Sequence, residues 1–126
     1  MNEINKANGE YYGIEKQMIV LVEETAELAQ AATKWLRKKQ NGQTVRKSYG
    51  EIMENLIEEL ADVSIMVDQI KHLLNLNERD FQYIRAMKIK RTAEYIAQDK
   101  EAKRHEQSHD DERSTRGGAQ RPAGDV

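Results

Sequence analysis

The chain has 126 residues, 33% of them charged and 38% hydrophobic, and a formal net charge of -2. It contains no cysteine, which excludes a disulfide framework, a thiolate metal site and a Cys nucleophile. The near-neutral balance supplies no global basic field to recruit nucleic acid. No apolar run approaches the ~20 residues of a membrane span, so a cytoplasmic protein with no membrane partner is expected.

Met1 to Gly13 is polar, carries no signal-peptide pattern, and reads as a loose lead-in with room for a short helical turn. Ile14 to about Lys39 predicts the first long helix. Ile14, Met18, Leu21, Thr25, Leu28, Ala32 and Leu36 recur at alternating steps of four and three, the amphipathic helix pattern, and are expected to form its core stripe. A second stripe runs beside it: Gln17, Val20, Glu24, Glu27, Ala31 and Trp35.

Gln40 to Ser48 reads as a loop with Asn41-Gly42 as its turn signal. A second helix starts near Ser48 to Gly50, with Ser48 and Glu51 at capping-box spacing. Its expected core stripe is Leu56, Leu60, Val63, Val67, Ile70 and Leu74, flanked by Ile52, Asn55, Glu59, Asp62, Met66 and Gln69. Asn75-Leu76-Asn77 breaks the pattern, and Asn77 suits the N-cap of a third helix from about Glu78 to Gln98.

Beyond Gln98 hydrophobic residues almost vanish. The helix has room to continue towards Arg104, but a segment this polar cannot bury enough surface to offset its ordering entropy. Residues 99–126 are therefore expected to be a disordered tail after a helical domain of residues 1–98. The expected fold class is all-α: an antiparallel helical bundle with three main helices per chain, completed by oligomerisation.

Two acidic clusters carry the chemistry. Glu24 and Glu27 project together from the first helix, and Glu59 and Asp62 from the second, because residues three apart share a helix face. Acidic residues on a helix are usually a solvated face, but an inert surface tends to alternate Glu with Lys at i+4, and neither cluster contains a lysine. Facing like-charged pairs repel in a low-dielectric crevice. Oxygen-only ligation by four carboxylates, Glu24, Glu27, Glu59 and Asp62, suits Mg²⁺, with Mn²⁺ as a substitute, better than zinc. Trp35, one or two turns past Glu27, is either ordinary packing or a stacking wall for a base. Lys88 and Arg91 are either snorkelling cations at a core edge or contacts to a phosphate tail. The basic patch of Arg37, Lys38, Lys39, Arg46 and Lys47 lacks interleaved aromatics, so nucleic acid is not the expected partner.

Glu23-Glu24-Thr25-Ala26-Glu27 followed by Glu59-Leu60-Ala61-Asp62 resembles the EExxE and ExxD signature of the all-α, MazG-like nucleotide pyrophosphohydrolases. That superfamily includes the MazG proteins, dimeric dUTPases and dCTP pyrophosphatases, and the resemblance covers about residues 13 to 97. It implies hydrolysis of a nucleoside triphosphate to the monophosphate and pyrophosphate. Mg²⁺ would be held by Glu24, Glu27, Glu59 and Asp62, with Glu27 or Glu23 orienting the attacking water. It further implies that Lys88 and Arg91 offset charge on the leaving pyrophosphate, that Lys34 and Trp35 border the base or sugar, and that the chain forms a homodimer or homotetramer. The rival expectation is a non-catalytic helical interaction module whose acidic faces are solvated or docked on a basic partner.

Overall fold

The computed structural model describes residues 1–41 and 46–118. These residues are all-helical, in the order α1 (Glu3–Tyr12), α2 (Ile14–Asn41), α3 (Tyr49–Leu73) and α4 (Glu78–Arg116). They fall into two compact units, Met1–Asn77 and the segment from Glu78 onward.

The expected loose lead-in is instead a helix, so the described residues form four helices, α1 beside the three expected main ones. Asn2 caps α1, its Oδ1 accepting from the backbone amides of Ile4 at 2.8 Å and Asn5 at 3.3 Å. Tertiary contacts then hold a segment too short to be stable alone. Asn5 Nδ2 donates to the carbonyl of Ile65 at 3.3 Å, and His72 Nε2 lies 2.7 Å from Glu10 Oε1. Gly9 is buried because α1 meets α3 there with no room to spare. A Cβ at Gly9 would come within 3.2 Å of Gln69 Cγ. The chain turns from α1 into α2 at Gly13, whose φ of 82° is a conformation that residues with a Cβ rarely adopt.

α2 begins at Ile14 as the periodicity predicts and extends to Asn41. The predicted turn residue Gly42 lies outside the described residues. The capping box at α3 is present: Ser48 Oγ accepts from the Glu51 amide, and Glu51 Oε2 accepts from the Ser48 amide at 2.8 Å. α3 closes at Asn75, whose φ is 51°. The Asn75 amide donates to the His72 carbonyl and the Leu76 amide to the Lys71 carbonyl. This is a Schellman closure with Asn in the left-handed position.

α2 and α3 are antiparallel, since Gln17 near the start of α2 bonds Gln69 near the end of α3 while Trp35 bonds Tyr49 at the other end. Their seam corrects the predicted core. The buried residues Gln17, Ala31, Ile52, Met66 and Gln69 all belong to the flanking stripes; Ile70 alone comes from the expected core stripes. Met18, Leu36, Leu60 and Leu74, expected inside, are exposed. The apolar arc of each helix is wider than one neighbour covers, and the neighbours take the edge that carries the carboxylates.

α4 continues past the predicted end at Gln98 to Arg116 and buries none of its residues. Residues 99–116 are helical, where the sequence leaves room for helix only towards Arg104. Burial is not what orders them. A helix satisfies its own backbone bonds, and the Glu, Lys and Arg residues of this stretch are good helix formers. Lys103 adds an i,i+4 ion pair to Asp99 at 2.9 Å. Residues 119–126, with the sole proline, lie outside the described residues.

Candidate metal centre

Because the carboxylate stripes face each other, the two acidic clusters meet inside the α2–α3 seam. Carboxylate oxygens of Glu24, Glu27 and Glu59 all lie within 4.8 Å of one another. Glu24 and Glu59 are half-buried and Glu27 is exposed, so the cluster has two walls and an open rim. Glu24 Oε2 and Glu59 Oε2 are shut off from solvent and have no hydrogen-bond partner. An acceptor shielded from water and left unpaired is unfavourable, more so when charged, so this is a costly way to build a helix seam.

The electrostatics agree with that geometry. Burial pushes the Glu24 carboxyl above the usual carboxylate range, and the charges of Asp62, Glu27 and Glu59 push the same way. Burial also raises Glu59, followed by the charges of Glu27 and Asp62. Both folded values therefore lie above the ordinary value of 4.5. The folded chain holds these protons more tightly than the unfolded chain. Their contribution to stability is greatest below pH 4.5 and is lost as pH rises through the raised values. In chelator, the melting temperature of the native protein is expected to fall across that window relative to a Glu24→Gln, Glu59→Gln double variant. Parallel pH profiles for the two proteins would assign the repulsion elsewhere.

The predicted site residues divide into three groups. Glu24, Glu27 and Glu59 come together. Asp62 is half-buried on the same face of α3 and is outside the 4.8 Å triad, yet its charge acts on both Glu24 and Glu59. Glu23 is exposed and outside the cluster. Lys88 and Arg91 are exposed on α4, in the other compact unit. Trp35 is half-buried, its Nε1 donating to the Tyr49 hydroxyl at 3.4 Å.

A recess of about 220 Å³ opens beside the triad, lined by Glu27, Gln30, Ala31, Lys34, Asn55 and Glu59. Lys34 thus lines the same recess as Glu27 and Glu59, while Trp35 is not part of the lining. The sequence reading gave no role to Gln30 or Asn55. Asn55 sits one turn before Glu59 on the same stripe, and that spacing was the available signal.

The donor set passes a simple test for a hard divalent cation. It offers oxygen ligands only, an excess of negative charge, and two buried oxygens that no protein group satisfies. Fold and site together define an all-helical protein with a carboxylate cluster between two antiparallel helices. Compared with family models, characterised proteins and solved structures, the chain gives no significant match.

Proposed function

We propose that the chain is a Mg²⁺-dependent nucleotide pyrophosphohydrolase of the MazG-like type, converting a nucleoside triphosphate to its monophosphate and pyrophosphate. The observation that carries this reading is the pair of buried, unpartnered oxygens on Glu24 and Glu59, in contact range of Glu27. A solvated acidic face has no reason to hide them. An interaction module docked on a basic partner would present its carboxylates on the surface, not in the seam between its own helices.

Glu24, Glu27 and Glu59 would hold the ion, with Asp62 adjoining. Bound Mg²⁺ supplies charge neutralisation at phosphate oxygens and lowers the pKa of a coordinated water. Of the two candidates for orienting the water, Glu27 is favoured over Glu23 because it joins the cluster and also faces the recess. Trp35 retains its proposed place beside the base. A homodimer or homotetramer is supported by what α2 and α3 leave uncovered. Met18, Val22, Ile57 and Leu60 are exposed, and the helical period puts Met18 and Val22 on the flank of α2 away from Lys34.

The test is pyrophosphate release from each common ribo- and deoxyribonucleoside triphosphate, with and without Mg²⁺. Metal-dependent release from at least one is the expected result. No release, together with no rise in melting temperature on adding Mg²⁺, would move the assignment to an interaction module.

A further inference from the structure

We propose that the recess beside the carboxylates is a polyphosphate subsite, in which Lys34 and Asn55 contact phosphate oxygens of the substrate. This rests on the proposed hydrolase reading and deepens it. It also relocates Lys34, which the family resemblance placed at the base or sugar.

Three observations carry the inference. First, the lining is one ammonium, two carboxamides, two carboxylates and a single methyl group, from Lys34, Gln30, Asn55, Glu27, Glu59 and Ala31. No aromatic or broad apolar wall is present to stack a base, whereas amide N–H groups and an ammonium are the donors a phosphate needs. Second, Lys34 borders two carboxylates, yet among the described residues it forms no ion pair with either. Its charge remains available to an anion. Third, the recess shares Glu27 and Glu59 with the candidate metal centre. An anion there would adjoin both Lys34 and the carboxylates that would hold the cation, and each could offset its charge. At roughly 30 Å³ per water, about 220 Å³ holds several waters and hence a phosphate group.

The probe is inorganic pyrophosphate in excess Mg²⁺, with binding followed by calorimetry and by thermal shift, so no turnover is required. The native protein is expected to bind it. Lys34→Met should weaken binding about 10-fold or more, the loss expected for one charge-assisted contact, and Asn55→Ala should weaken it by a smaller factor. Lys34→Arg should retain most of the affinity. Lys39→Met, which removes the same charge from the same helix outside the recess, should leave it unchanged. Stabilisation by Mg²⁺ alone should survive Lys34→Met, which separates the anion subsite from the metal centre. Equal affinity for the native protein and Lys34→Met, or an equal loss in Lys39→Met, would overturn the subsite even if nucleotides are hydrolysed. Lys34-dependent pyrophosphate binding without hydrolysis of any nucleotide would keep the subsite and discard the hydrolase reading. No pyrophosphate binding by the native protein would overturn the subsite outright.

Discussion

Replacing Glu59 with Gln is expected to lower pyrophosphate release at least about 100-fold and, in the same protein, to raise the melting temperature in chelator. The two effects share one cause. Glu59 is half-buried with an unpartnered oxygen, and its carboxyl is pushed up by burial and by Glu27 and Asp62. Its ionised form strains the seam, and Gln removes that charge at constant shape. The activity loss follows because changing even an outer partner of a metal ligand costs about 10–100-fold, and Glu59 would be a direct ligand. The gain in stability should vanish at saturating Mg²⁺, where the native protein recovers through ligand-linked stabilisation and the variant does not. Activity assays beside melting curves with and without Mg²⁺ check both halves. A Glu59→Gln protein that melts lower in chelator would mean that the carboxylate has a structural partner after all.

The largest loss of stability is expected at Gln69. Gln17 Nε2 donates to Gln69 Oε1 at 2.6 Å, and Gln69 Nε2 donates to Asn5 Oδ1 at 2.7 Å. Gln17 is 5% exposed and Gln69 4%, so water cannot replace either partner. Gln69→Leu keeps the volume but strands the Gln17 amide, and a stranded buried donor costs about 1–3 kcal/mol. Removing both partners should be milder than either single change, because neither amide of the Gln17–Gln69 pair is then left orphaned between the helices. Denaturant melts of Gln17→Leu, Gln69→Leu and the double variant measure this directly. Additive losses would show that the amides act through separate contacts. Asn5 makes the same chain the tie that holds α1 on α3, so Gln69→Leu should also expose the amides of Glu3–Tyr12 to faster exchange.

Local signals were read correctly where local physics decides. The start of α2 at Ile14, the Ser48–Glu51 box and the break at Asn75 to Asn77 all depend on residues within one turn of each other. The helical character of α1 escaped notice because its support comes from Gln69, Ile65 and His72, about 60 residues away. The extent of α4 beyond Arg104 carries no apolar signal in the sequence, since the helix buries none of its residues.

Periodicity showed two adjacent stripes on each long helix but not which of them meets a neighbour. The more apolar stripe was chosen, while the packing uses the one with Gln17, Ala31 and Met66. That same choice brings the carboxylates face to face. The acidic residues themselves were visible from their spacing. The recess was not, because Lys34 and Asn55 come together only through the antiparallel register of α2 on α3.

The two solvent-shielded oxygens in the seam also bear on how this sequence can drift. Each of Glu24 and Glu59 is one substitution away from a better-packed, less strained protein: Gln would remove the charge, and an apolar side chain would remove the orphaned acceptor as well. Random change screened only for folding would erase these positions early, since almost any neutral replacement is an improvement by that criterion. A lineage in which the proposed chemistry was no longer selected should therefore lose its carboxylates before its helices, leaving a hardier bundle with a filled seam. The fold can outlive the chemistry, and a quick sign of that fate in any descendant is a melting temperature that no longer responds to chelator.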